Sequence, residues 1–111
     1  MFFKKKADNA YRANINDGCL ATDRISFDGE EVGYMYREHP DTDSETPDSG
    51  WRFFAGNETD EYVNTPENIK NFSLDTICDY DPDIIPYLNS PYGSAWVRQG
   101  NKFVEYIEEY K

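Results

Sequence analysis

Two periodicities divide this chain. The run Val32-Gly33-Tyr34-Met35-Tyr36-Arg37 alternates, with Val32, Tyr34 and Tyr36 on one face. Trp51-Arg52-Phe53-Phe54-Ala55 also alternates, with Trp51, Phe53 and Ala55 together. A period of two marks a half-buried strand. Residues 19–22, Ala95-Trp96-Val97-Arg98 and Lys102-Phe103-Val104-Glu105-Tyr106 read as further strands. Turn residues separate them: Asp28-Gly29, the polar loop 39–50, Gly56-Asn57 and Gln99-Gly100-Asn101. The second and third strands predict an antiparallel pair, in which aromatic neighbours add up to about 1 kcal/mol each.

Helical signals fill the stretch between the third and fourth strands. Thr65-Pro66-Glu67 reads as an N-cap, an N1 proline and a first-turn acid. Ser73 is placed to cap a short helix carrying Leu74, Ile77 and Cys78 at i, i+3 and i+4. Asp81-Pro82-Asp83 repeats the cap-and-proline signal before Ile84, Ile85 and Leu88, and Pro86 limits that helix to about a turn. The predicted fold is α+β: a single small domain, with an antiparallel sheet of about five strands and short helices packed on one face. Tyr34, Trp51, Phe53, Trp96 and Phe103 are its expected core, and Tyr62, Tyr80 and Tyr87 are expected to be partly exposed. Residues 1–17 read as a loosely held arm with a turn of helix at 7–13, residues 18–107 as the domain, and 108–111 as a tail.

Composition adjusts this picture. The 111 residues fit one domain with a modest core. A hydrophobic content of 38% and a mean hydropathy of −0.87 point toward disorder, but 16% aromatic residues supply enough buried area to oppose it. The net charge of −11 arises wholly between residues 38 and 86, where 13 acids meet only Arg52 and Lys70. Such a block is either a solvated face that keeps the protein soluble or a surface for a basic partner. An isoelectric point near 4.3 argues against nucleic acid and anionic membrane as partners. No apolar signal core follows Met1–Lys6, and no run approaches the ~20 residues of a membrane span, so the expected location is cytoplasmic. Cys19 and Cys78 are then expected as free, buried thiols.

Catalytic signatures are sparse. The single histidine, His39, lies in a polar loop with nothing beside it in sequence to orient its ring. There is no glycine-rich phosphate loop or dinucleotide fingerprint. Asp79-Tyr80-Asp81-Pro82-Asp83 opens like a calcium loop, but Ile84 stands at position six and Ser90 at position twelve. The series Asp41, Asp43, Glu45 fails in the same way, with Thr46 and Arg52 at those positions. Paired carboxylates are uninformative in so acidic a chain. No catalytic residue, metal or cofactor is predicted, and the expected class is not an enzyme.

Several runs, taken in order, resemble a small bacterial family. They are Cys19-Leu20-Ala21-Thr22-Asp23-Arg24-Ile25, Gly33-Tyr34-Met35-Tyr36-Arg37-Glu38, Asp48-Ser49-Gly50-Trp51-Arg52-Phe53-Phe54-Ala55-Gly56, Asp60-Glu61-Tyr62, Asn68-Ile69, Tyr80-Asp81-Pro82-Asp83-Ile84-Ile85-Pro86-Tyr87-Leu88 and Ser90-Pro91-Tyr92-Gly93-Ser94-Ala95. The family is the thirty-third group of immunity proteins of polymorphic-toxin loci, and the resemblance covers residues 18–106. It implies an intracellular protein that binds and neutralises a toxin, and it brings no catalytic residues. Many such toxins are nucleases and therefore basic. The expected partner-binding residues are Asp41, Asp43, Glu45, Asp48, Glu58, Asp60, Glu61 and Tyr62, serving as rim and anchors for a cognate, basic protein toxin. Two alternatives stay open: a small acidic metal-dependent accessory or enzymatic domain, and a housekeeping protein-interaction domain. The sequence leaves the oligomeric state undetermined.

Overall fold

The computed structural model describes residues 12–43 and 45–107. In chain order it contains β1 (Gly18–Thr22), α1 (Asp23–Ser26), β2 (Tyr34–Arg37), β3 (Asp48–Phe54), α2 (Asp60–Val63), a 3-10 turn (Pro66–Asn68), β4 (Ile69–Ser73), α3 (Leu74–Tyr80), a 3-10 segment (Pro82–Tyr87), β5 (Ala95–Gln99) and β6 (Lys102–Glu105). All six strands join one sheet in the order β4-β1-β3-β2-β5-β6. The fold is α+β, as expected. The sheet, however, is mixed rather than antiparallel throughout, because β1 runs parallel to β3. The other four pairings are antiparallel. The hairpin of β2 and β3 sets β3, not β2, against β1, and that placement makes the pair parallel.

A sixth strand replaces part of the expected helical stretch. The cap signal at Thr65-Pro66 starts only the 3-10 turn, and the chain is extended again at Ile69. β4 then pairs with β1 along all five of its residues. The backbone groups on that side of β1 need partners, and this demand overrides a helix signal only three residues long.

The alternation in β2 shifts phase at Gly33. Val32 and Met35 are both fully buried, although three positions separate them. Gly33 donates to the Phe54 carbonyl at 2.8 Å and accepts from the Arg98 N–H at 2.9 Å. A Cβ here would lie 2.0 Å from the Ala55 carbonyl oxygen, so only glycine permits this approach. Beyond it Met35 and Arg37 face inward, while Tyr34 and Tyr36 face outward. Tyr34 is therefore not the core residue that simple alternation predicts.

The core lies between one sheet face and the elements α1, α3 and 82–87. Ile25, Met35, Trp51, Phe53, Leu74, Ile77 and Ile84 fill it, and Phe103 is also buried. Trp96 is half-buried and packs against this cluster. Each fully buried large side chain stabilises the fold by about 1.5–3 kcal/mol. The indole N–H of Trp51 donates to the Leu88 carbonyl at 2.9 Å, which satisfies the polar atom of the largest buried side chain. Ser73 caps α3 as expected, its Oγ accepting from the Thr76 N–H at 3.3 Å. Asp81 caps the following segment by accepting from the Asp83 N–H at 3.1 Å. Both cysteines are free and buried. Burial pushes the Cys19 thiol up to about 12, against the opposing pull of Arg52.

Of the expected arm, residues 13–17 touch the domain: the Ala13 N–H donates to Asn89 Oδ1 at 2.7 Å and Leu74 donates to the Asp17 carbonyl at 2.9 Å. Residues 1–11 and 108–111, and with them most of the helical turn expected at 7–13, lie outside the described residues. Among the described residues, no helix is long and apolar enough to cross a membrane.

Candidate protein-binding surface

The side of the sheet opposite the core has no helix across it among the described residues. α2 borders it through Val63, which sits near Leu20, Phe54 and Ile69. Four rings lie together on this face. Tyr36 stacks on Phe54 with centroids 5.8 Å apart and planes 15° apart. Tyr34 lies 5.8 Å from each of them and meets Tyr106 edge-on at 6.2 Å.

Beside the rings is a buried guanidinium. Arg52 is 6% exposed. Its Nε donates to Glu38 Oε2 at 2.6 Å, and its two terminal nitrogens donate to Asp48 at 2.9 and 2.8 Å. A bulge in β3 makes this possible. Between Gly18↔Asp48 and Leu20↔Arg52 the register gains two residues on β3, and Gly50 takes a φ of +90°. Asp48 then folds back toward Arg52 and also accepts from the N–H groups of Gly50 and Asp41, at 3.0 and 2.8 Å. Burial opposes ionisation of Asp48, but Arg52 and these two N–H groups outweigh it and hold the carboxyl at about 2. Burial likewise weakens the charged form of Arg52, and Asp48 and Glu38 reverse that and raise its pKa.

Three shallow hollows cross the face in series. One lies between β4, β1 and the loop 39–47, and one between Leu20, Tyr36 and Val63; they share Arg52. The third, bounded by Tyr34, Tyr106 and Glu105, shares Tyr36 with the second. The first two hold about 180 and 120 Å³, less than a small-molecule site encloses, and the third about 410 Å³.

The residues expected to bind a partner separate into groups. Asp41, Asp43 and Glu45 are exposed on the loop, and Asp41 lines the first hollow together with Asp48. Asp48 is committed to Arg52. Glu58 accepts from Thr22 Oγ1 at 2.6 Å and from the N–H groups of Ala55 and Gly56 at 2.8 and 2.9 Å, closing the turn after β3. Burial resists its charge, yet these donors lower its pKa. Asp60 and Glu61 are exposed in the first turn of α2, which Thr59 caps. Tyr62 lies beneath the Arg24 guanidinium at 4.7 Å. The residues expected from sequence to bind a partner did not include Tyr34, Tyr36, Phe54, Tyr106 or Glu38, which lie on this face. The signal for one of them was present: Arg52 and Phe54 alternate with the apolar Trp51 and Phe53, so the second face of β3 also carries a large ring.

The remaining charged clusters hold the fold together. Asp81, 5% exposed, accepts from Arg98 at 2.6 Å and from the Val32 N–H at 2.9 Å, and Asp83 also binds Arg98 at 3.0 Å. The calcium-like acid repeat is thus an anchor for an arginine. Arg37 donates to the carbonyls of Ser49, Leu88 and Ser90 and lies between the rings of Trp51 and Tyr92. His39 packs beside Tyr92 at 5.2 Å. Among the described residues, no group of His, Cys, Asp and Glu is arranged to hold a metal ion.

The described residues form a small α+β domain with a mixed six-stranded sheet and one open sheet face. The chain belongs to the Immunity protein Imm33 domain family, whose model matches residues 19–108. No curated protein and no solved structure matches the chain.

Proposed function

We propose that this protein is a non-enzymatic, cytoplasmic immunity protein that binds and neutralises a cognate, basic polymorphic toxin. Membership of the Imm33 family carries this reading. The net charge of −11, concentrated where the exposed acids Asp41, Asp43, Glu45, Asp60 and Glu61 lie, supports a basic partner. Opposite charges raise association rates by about 10–10³-fold, an effect that salt removes. The test is co-expression with the toxin domain encoded beside its gene, followed by stopped-flow binding of the purified pair. Growth should be restored and a stable complex should form. Association should slow with added salt and in Asp60→Lys/Glu61→Lys. Growth arrest that co-expression leaves unchanged overturns the immunity role. A rate indifferent to salt and to charge reversal overturns the basic partner.

A further inference from the structure

We infer that the open sheet face is the seat of the partner, and that it takes a lysine- or arginine-bearing segment of a basic protein over Tyr36 and Phe54, with Glu38 as the carboxylate that meets the cation. This inference rests on the toxin-binding reading above and places its centre on the sheet, with the loop acids as a rim.

Four rings occupy the middle of this face: Tyr34, Tyr36 and Phe54 are half-buried, and Tyr106 is exposed. Aromatic rings are strong interface anchors and attract cations over their faces. The charge around them is mostly negative. Glu38, Asp41 and Asp48 line the hollows, and Arg52 is the single base among the lining residues. A second copy would bring two acidic faces together, and nucleic acid or anionic lipid would be repelled. A basic protein segment is the occupant that fits.

The ion cluster is arranged so that one carboxylate can change partners. Asp48 holds Arg52 through both terminal nitrogens, and its side chain is only 10% exposed. Glu38 holds Arg52 through Nε alone, and its side chain is 50% exposed. Glu38 can turn toward an incoming cation while Asp48 keeps Arg52 neutralised, so no buried charge is left unpaired. Five inter-strand spacings of about 4.8 Å make the sheet about 24 Å across. That approaches the ~28 Å edge of a square holding one side of a standard interface, about 800 Å².

Isothermal titration against the neighbouring toxin domain, with Tyr36→Ser, Glu38→Gln and Ile85→Ser, tests this. Ile85 is exposed on the covered side of the sheet. Tyr36→Ser and Glu38→Gln should each weaken binding about ten-fold or more, as hot-spot losses do. Ile85→Ser should bind within about two-fold of the unmodified protein, as contacts outside a hot spot do. Methyl NMR on the unmodified complex removes any dependence on variant folding: signals of Leu20, Val63 and Ile69 should shift, and those of Leu74 and Ile77 should stay. Binding that survives both face variants, or shifts confined to the covered side, overturns this placement and leaves the immunity role standing. Failure of the unmodified protein to bind the toxin overturns both. A free dimer that Tyr36→Ser dissociates overturns it in favour of a second copy.

Discussion

One sheet presents two faces, and they treat aromatic and charged residues in opposite ways. On the covered face Trp51 and Phe53 stack beneath helices and are lost to solvent. On the open face, one residue along the same strand, Arg52 and Phe54 meet Tyr36 and Glu38 at the surface. Both faces bury a charge. Asp81 is enclosed by Arg98 and the Val32 N–H, so its partners cannot leave without stranding it. Arg52 has two carboxylates, and one of them faces water. On both faces the arginine also has a more exposed carboxylate, Glu38 for Arg52 and Asp83 for Arg98, so the difference lies in the buried carboxylate: Asp81 ties the distant Val32 N–H, whereas Asp48 ties only the nearby Gly50 and Asp41 N–H groups.

The comparison breaks first at Trp51. Trp51→Ala removes a fully buried indole and its bond to Leu88, and should cost about 3–5 kcal/mol. Thermal unfolding followed by circular dichroism should show the midpoint falling by at least about 12 °C. A fall under about 5 °C would mean that the covered face is not the stabilising one.

Next in size is Asp81→Ala, which strands the Val32 N–H and leaves Arg98 with Asp83 and Glu31. We expect a loss of about 2–3 kcal/mol in urea unfolding, from the unsatisfied buried N–H and the lost charge-assisted bond. If Asp48→Ala costs more than Asp81→Ala, the distinction between the two ion clusters fails, because Asp48 ties only N–H groups close in sequence and Arg52 should retain Glu38.

Asp48 also makes the open face sensitive to acid. Its folded carboxyl titrates at about 2, below its unfolded value of about 3.9. Its stabilisation is therefore complete above about pH 5 and fades as the pH falls toward 2, by about 2 kcal/mol in all. Urea unfolding from pH 6 to 2 should show a shallower acid loss in Asp48→Asn than in the unmodified protein. Equal slopes would place the acid sensitivity elsewhere.

Smallest is the effect of the exposed rings on stability. Tyr36→Ser should cost about 1 kcal/mol, the worth of one aromatic pair at a half-buried site. A loss near that of Trp51→Ala would show that the open face is core rather than contact surface.

Much of this contrast was legible before the fold. Turn pairs such as Asp28-Gly29 and Gln99-Gly100, the Ser73 cap and the Asp81-Pro82 cap all lie where local sequence places them. The acidic block was also visible, but its division was not. Glu58 and Asp48 look like Asp41 and Glu45 in sequence, yet Thr22 and Arg52 engage the first two. Thr22 is 36 residues from Glu58, and no local pattern reports such a partner. The misplacement of Tyr34 has a similar cause: Gly33 shifts the phase only because Ala55, 22 positions away in the chain, comes within contact of it.

The sequence by itself determined the α+β class, the turns, the helix caps and the sign and position of the net charge, because each depends on residues a few positions apart. Tertiary structure alone decided the parallel pairing of β1 with β3, the strand at Ile69–Ser73, the phase of β2 and the union of Arg52 with Glu38 and Asp48. These depend on which distant backbone groups and charges are brought together, and a buried hydrogen-bonding group or charge must be satisfied by whatever the fold sets beside it.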